Sequence, residues 1–367
     1  MFRIRLKIKM LKEALPLGST IGILGDGQLG RMLSQAASRL GFKVVTFGPD
    51  AGSPAAQVSL ASKVAAYTDE AVLARLAESC DVITFEFENV PATSLDFLTG
   101  KGAVVAPSSR ALRITQDRVL EKSFAREAGI GTVDFFEVNS EADLAAAMKD
   151  SPTSEALLKT RREGYDGKGQ VWVRSLDEVA SAYASLGGRP SILEAKASFI
   201  REISVVAARG WNGEIKTFPI GENHHVGGIL STTLAPAQVS EAVTAAAHEI
   251  ARKVLEGLDY VGVLAVELFV LPGDRLLLNE IAPRVHNSGH WTQDGCLCDQ
   301  FEQHIRAVAG WPLGDTSARC TVEMTNLLGR DILEWPTLAA EPQSRLYVYG
   351  KDEPRAGRKM GHINRIK

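Results

Sequence analysis

Cysteine is scarce in this chain of 367 residues, and what there is falls into no pattern that binds metal or staples a small core. Cys80, Cys296, Cys298 and Cys320 make no paired C-x2-C array, and a chain this long can build its cores from apolar side chains without disulfides. Reduced thiols in a cytosolic protein are the simplest reading. Long apolar runs are missing as well: no stretch approaches the ~20 residues that a membrane-spanning helix needs, so no membrane partner is expected. A basic excess is also lacking, since 41 Lys+Arg face 44 Asp+Glu for a formal net charge of -3. That balance builds no overall field for nucleic acid or an anionic membrane surface and favours small-molecule partners.

What is present is an ordinary soluble composition, 45% hydrophobic and 23% charged, with no internal repeat or low-complexity tract. A single core stops growing well below this length, so two or three domains are expected. The first residues alternate Arg3, Arg5, Lys7 and Lys9 with Phe2, Ile4, Leu6 and Ile8. A secretory leader needs a continuous apolar block of ~7–15 residues instead. Residues 1–16 read as an N-terminal extension, with Met10 as an alternative start.

From Thr20 the pattern runs strand (20–24), glycine-rich turn (25–30), helix (28–40), strand (42–47), helix (69–79) and strand (81–86). That alternation predicts a parallel sheet built from βαβ units. Glu86, Glu88 and Asn89 end the last strand, where open α/β sheets gather ligands. A further strand (103–106) leads into a helix over 109–128, where a second domain begins. Short strands at 156–160, 170–174, 191–195, 202–208 and 215–220 then mix with helices at 141–149 and 177–186, the order of an α+β unit with antiparallel pairing. A helix over 237–257 precedes two strands, 261–271 and 275–281, folded about Pro272-Gly273-Asp274. Only short strands and turns are expected after residue 311.

Four features carry chemistry. Gly25, Gly27 and Gly30 form G-x-G-x-x-G between a strand and a helix, which lets bare backbone approach an anion at a helix N-terminus. With Asp50 about twenty residues on, a nicotinamide-dependent dehydrogenase is one rival reading. Second, GYDGKGQ (164–170), near Lys159, Arg161 and Arg162, has the make-up of a flexible cationic loop that closes over phosphates; a solvated glycine turn is the bland alternative. Third, the hairpin brings Glu267 opposite residues 279–280 among apolar neighbours. Two such carboxylates raise each other's pKa unless a cation lies between them, and with Asn279 they suit Mg²⁺ on nucleotide phosphates. Solvated strand ends are the alternative. Fourth, Arg284 and His286 follow at once, a guanidinium and an imidazole able to stabilise an anion and move a proton beside the metal.

At these residues the sequence resembles the N5-carboxyaminoimidazole ribonucleotide synthetase family of the ATP-grasp superfamily. The match runs from Ile21 to Asn364 through GQLGRM (27–32), EFENVP (86–91), GYDGKGQ (164–170), YVGVLAVE (260–267), NEIAPRVHNSGHWT (279–292) and GRKMGHIN (357–364). The resemblance implies an ATP-grasp fold, α/β and α+β, with a Rossmann-like domain (17–112), an ATP-grasp domain (113–310) and a small C-terminal β-rich domain (311–367). It implies a cytoplasmic, homodimeric ligase of purine synthesis that joins ATP, bicarbonate and aminoimidazole ribonucleotide through carboxyphosphate. ATP would meet Arg113, Lys159, Gly164, Tyr165, Asp166, Gly167, Lys168, Gly169, Gln170, Glu194, Ala195, Lys196, Ala197, Glu202, His225, Asn279 and Glu280. Glu267 and Glu280 would hold Mg²⁺, while Arg284, His286 and Asn287 would act on bicarbonate and carboxyphosphate. Gln28, Leu29, Glu86, Lys351 and Arg358 would surround the ribonucleotide. The sequence departs from the family at Glu163, where glycine is usual, at Lys168, where a relative can have arginine, and in its basic leader. A nucleotide-binding sensor without turnover is the other rival, although it would not need Arg284 and His286 beside the metal pair.

Overall fold

A computed structural model of the protein describes residues 10–164 and 167–367. The roles expected for Tyr165 and Asp166 lie outside the described residues, as does the reading of residues 1–9. Leu11 and Leu15 pack against the main core, and Leu15 N donates to Ala309 O at 2.9 Å, so this part of the expected extension is docked.

The N-terminal sheet is parallel, with β1 (Thr20–Leu24), β2 (Lys43–Gly48), β3 (Ala61–Val64) and β4 (Val82–Phe85) in the order β3-β2-β1-β4. Its central strands are buried on both faces, which is why they read as continuous apolar runs. Helices α1 (Gln28–Arg39), α2 (Glu70–Ser79) and α3 (Ala92–Gly100) accompany it. The strand expected at 103–106 contributes only a bridge from Val105 to Ile83.

The helix expected over 109–128 is two, α4 (Ser109–Thr115) and α5 (Arg118–Glu127). Asp117 causes the break: its carboxylate accepts from Val119 N and Leu120 N, capping a new helix. A small antiparallel sheet follows, made of β5 (Phe135–Val138), β6 (Ala156–Thr160), β7 (Gln170–Val173) and β8 (Ser191–Ala195) in the order β5-β8-β6-β7. Helices α6 (Glu141–Asp150) and α7 (Val179–Ser185) lend it a core through Leu144, Ala147, Val179 and Ala182.

The rest builds one nine-stranded sheet. Its members are β9 (Arg201–Arg209), β10 (Ile215–Thr217), β11 (Gly221–Val226), β12 (Ile229–Ala235), β13 (Gly262–Val270), β14 (Leu276–Ala282), β15 (Val322–Leu328), β16 (Ser344–Val348) and β17 (Lys359–Ile366). The order is β14-β13-β9-β11-β12-β15-β17-β16, with β10 on β9, so the C-terminal strands extend the same sheet. The strand expected to reach residue 220 stops at Thr217, ahead of Pro219, which has no N–H to give a ladder. The helix expected from 237 is α8 (Glu241–Gly257), fixed by the Ser240 side chain accepting from Val243 N. Val243, Ala247, Ala251 and Val254 of α8 pack on β9 and β13. The short α9 (Thr292–Gly295) precedes α10 (Gln300–Val308), which lies between α1 and β13. No helix among the described residues is long and apolar enough to cross a membrane.

His304 of α10 joins the parallel sheet to the large one. Its Nδ1 accepts from Val263 N at 3.1 Å, so the neutral ring donates from Nε2 to Thr84 Oγ1 at 2.8 Å. Burial pushes its pKa from 6.5 down to about 3. The unfolded chain therefore takes up a proton that the folded one refuses, and this contribution to stability, full above the ordinary value, is lost as pH falls from 6.5 toward about 3. A glutamine amide at this position can accept and donate in the same places without titrating. Urea unfolding of His304→Gln at pH ~8 and ~5 is expected to show an acid loss smaller than wild type by about 1–2 kcal/mol. Equal losses would rule out the staple.

Candidate active site

The β13–β14 hairpin sets Glu267 directly opposite Glu280. Beyond that pair the register shifts, since Leu268 faces Leu278, and Asn279 is left as the extra residue of a bulge. Glu267, Glu280 and Asn279 line one cavity of about 550 Å³ between the sheets, with His286 beside them. Ligand atoms of Glu267, Glu280 and His286 all lie within 4.8 Å of one another. Burial and the facing Glu280 push Glu267 up to about 8. A buried acid facing a partly exposed one, flanked by an amide, fits a hard divalent cation.

Arg284 enters the cavity from the turn after β14, its guanidinium 2.7 Å from Glu88 and also donating to Val285 O. Gln300 clamps the backbone of His286 from both sides: His286 N donates to Gln300 Oε1 at 2.8 Å, and Gln300 Nε2 donates to His286 O at 2.7 Å. Ser288 N donates to His286 Nδ1 at 3.3 Å, which leaves the ring hydrogen on Nε2. Burial, then the Arg284 charge, hold this imidazole well below its ordinary pKa. It is thus a neutral donor. Asn287 borders the cavity, yet its amide makes a reciprocal pair with Asn326 of β15 at 2.9 and 2.7 Å. Both ends of its amide are engaged by Asn326, which anchors this turn to β15.

On the small sheet Lys159 donates to Glu194 at 2.6 Å, and Lys122 stands 3.5 Å from the other Glu194 oxygen. Burial would raise Glu194, but Lys122 and Lys159 outweigh it and bring the carboxyl down to about 2. Gly164, Gly167, Lys168 and Gln170 face the cavity, as do Glu202 and His225, which pair at 3.0 Å. Gly169 packs instead on Thr160, where a Cβ would come within 2.8 Å of Oγ1. Glu194 stands behind Lys159, and Ala195 and Ala197 do not line the cavity. Lys196 turns outward to Glu155 at 2.8 Å.

Three expectations change more sharply. Arg113, on α4, lies outside the cavity, paired with Asp96 at 2.7 Å; Arg118, 3.7 Å from Glu280, lines it together with Arg161, Arg162 and Arg284. Lys351 and Arg358 do not line it either: Lys351 Nζ reaches Lys359 O at 2.7 Å, and Arg358 folds back to Glu353 O at 3.0 Å. Lys359, at the start of β17, does line it. Gln28 and Leu29 border the cavity, but Glu86 is buried beneath them with Gly27 N donating to its Oε1 at 2.8 Å. Gly25, at φ 123°, has no room for a Cβ, which would stand 2.5 Å from the Glu86 side chain. The glycine-rich turn therefore wraps the protein's own carboxylate. Asp50 is exposed, its N bonded to Asp26, and does not meet the cavity, so nothing supports the dehydrogenase reading.

Comparison with known proteins agrees along the whole described chain. Residues 18–116 match the model of the ribonucleotide synthetase preATP-grasp domain, 123–301 the ATP-grasp domain, and 323–367 the phosphoribosylaminoimidazole carboxylase C-terminal domain. N5-carboxyaminoimidazole ribonucleotide synthase of Brucella melitensis is 51% identical over 360 residues, 98% of this chain and 99% of that one. A solved N5-carboxyaminoimidazole ribonucleotide synthetase in complex with ADP superposes with a TM-score of 0.94 at 39% identity, covering 97% of this chain and 94% of that one. The Aspergillus clavatus enzyme, solved with ADP and 5-aminoimidazole ribonucleotide, gives 0.89 at 32%, covering 95% and 94%.

Glu163, just before the cavity loop, has φ 65° in the left-handed region, where a side chain crowds its own backbone by about 1–2 kcal/mol. Glu163→Gly removes that crowding and Glu163→Ala keeps it. Hydrogen exchange at Gly164 and Lys168 is expected to be slower in the glycine variant than in the alanine variant. The reverse order would show that the loop gains more from the Cβ than it loses.

Proposed function

The chain belongs to the N5-carboxyaminoimidazole ribonucleotide synthase family of ATP-grasp ligases, which carboxylate 5-aminoimidazole ribonucleotide with ATP in purine synthesis, and we propose how its own residues divide that work. The opposed Glu267 and Glu280, facing Lys159 and Arg284 in one cavity, carry the reading. Nucleotide phosphates would lie against Arg118, Lys159, Lys168 and the glycines at 164 and 167, with Glu202, His225 and Asn279 around the rest of ATP. Glu267 and Glu280 would hold Mg²⁺, which when bound offsets phosphate charge. Arg284 and the neutral His286 would donate to bicarbonate and to the carboxyphosphate formed from it. Gln28, Leu29 and Glu86 would take the ribonucleotide base and ribose, with Lys359, and Lys351 and Arg358 after a rearrangement of their loop, toward its phosphate. A cytoplasmic homodimer belongs to the same proposal.

Bicarbonate is a poor electrophile, so the γ-phosphoryl group must first pass to its oxygen, giving ADP and carboxyphosphate. A preformed guanidinium and an uncharged imidazole donor stabilise that charge without burying a second cation. The ribonucleotide amine then attacks the carboxyl carbon or CO₂ released from it, phosphate leaves, and the amine gives up a proton. Burial pushes Glu86 up to about 7 against the pull of Gly27 N, the basicity of a group that can accept that proton.

The test is the product set: ADP and phosphate release should require both bicarbonate and aminoimidazole ribonucleotide. Formation of AMP, or tight ATP binding with no turnover, would sink the assignment. Glu280→Gln is expected to lower kcat by at least ~10²-fold with an unchanged circular dichroism spectrum; near-normal turnover would remove Glu280 from the metal. Arg118→Ala should raise the KM for ATP about tenfold or more, whereas Arg113→Ala should leave it alone. The opposite ranking would restore Arg113.

A further inference from the structure

β14, which presents Asn279 and Glu280, is the outermost strand of the large sheet, so its free edge needs partners that no further strand supplies. One comes from the backbone, Leu278 N donating to Gly131 O at 2.8 Å. The others come from two consecutive side chains of α5. Lys122 Nζ donates to Leu278 O at 3.1 Å and to Asn279 O at 2.7 Å, and Glu121 Oε1 accepts from Ile281 N at 2.7 Å. These peptide groups bracket the bulge at Asn279, the irregularity that turns Asn279 and Glu280 into the cavity together.

Lys122 does more than finish an edge. It is fully buried, so water cannot substitute for its contacts, and a buried ammonium is tolerated only where its donors are met. The third direction of the ammonium faces Glu194 Oε1 at 3.5 Å, a buried oxygen with no hydrogen-bond partner among the described residues. The other oxygen of Glu194 holds Lys159 at 2.6 Å. One side chain therefore ties the metal-presenting strand to the strand pair that presents the phosphate lysine.

We propose that Glu121 and Lys122 are positioning residues that hold Glu280 and Asn279 in register with Lys159, so that metal and nucleotide are bound as one unit. The inference rests on the nucleotide reading above. It predicts a specific signature: loss of either contact should uncouple metal from nucleotide rather than weaken both alike. Titration calorimetry of ADP in EDTA and in excess Mg²⁺ measures the gain in affinity that the metal confers. That gain is expected to fall by about 10–100-fold in Lys122→Met and in Glu121→Met, with affinity in EDTA nearly unchanged. Glu121→Gln should keep the wild-type gain, because an amide oxygen still accepts from Ile281 N. Equal weakening with and without Mg²⁺, or a loss in Glu121→Gln as deep as in Glu121→Met, would overturn the proposal. Should Lys122→Met fail to fold, the contrast between Glu121→Gln and Glu121→Met decides the matter alone. Wild-type protein that binds no ADP at all would instead remove the nucleotide reading beneath it.

Discussion

Two carboxylates on neighbouring strands repel, and the site is arranged around keeping the buried Glu267 and the partly exposed Glu280 together despite that. The hairpin does it by packing, not by charge. Val266 faces Ile281 and Leu268 faces Leu278 on either side of the acids, so sliding the register to separate them would carry apolar side chains out of the core. The repulsion there is what a divalent cation would relieve, and part of the affinity for a metal held at this pair would originate in strand register. The bulge at Asn279 has the same origin, since it lets an amide and a carboxylate on successive residues share one side of the strand.

The cations arrive from elsewhere, and each brings its own acid. Lys159 pairs with Glu194, Arg284 with Glu88, His225 with Glu202, and Arg118 lies near Glu280. An anion binding here exchanges partners with groups already desolvated and oriented. The cost of ordering long cationic side chains is met during folding, and this leaves more of their interaction for the charge that develops during reaction. It also explains why the acids of the site come from the parallel sheet, the small sheet and the large sheet alike. A cavity at the meeting of sheets can be charged on all sides because its charges are paired both within a sheet, as Lys159 with Glu194 and His225 with Glu202, and between sheets, as Arg284 with Glu88.

The hairpin was legible because alternation about Pro272-Gly273-Asp274 is a local signal, and it placed Glu267 against Glu280 without any knowledge of the rest. The glycine loop and the turn carrying Arg284 and His286 were legible for similar reasons. What failed was orientation set by distant contacts. Arg113 and Arg118 sit on what read as one helix, and only the cap at Asp117 separates them, leaving Arg113 with Asp96 and turning Arg118 into the cavity. In the C-terminal loop every cation looked equivalent. Arg358 is spent on the carbonyl of Glu353, while Lys359, next in the chain, lines the cavity where the β15–β17 register shifts around Met360. Neither that irregularity nor the role of Lys122 was legible, since a lysine within an amphipathic helix gives no sign that it will be buried against the edge of a strand more than 150 residues away.

The glycine-rich turn shows how a motif can report physics faithfully and identity falsely. G-x-G-x-x-G signals that something anionic comes close to a helix N-terminus, where side chains would be in the way. Here that anion is Glu86, held by Gly27 N in the space that Gly25 leaves. A pyrophosphate brought to the same turn would meet an occupied donor and a like charge. A neutral amine would meet a carboxylate balanced between burial, which raises its pKa, and the backbone bond that lowers it. In the proposed site the same three glycines that serve phosphate recognition elsewhere would thus suit this end of the cavity to an uncharged nucleophile, leaving the phosphates of ATP to the end where Lys159 and Arg118 stand.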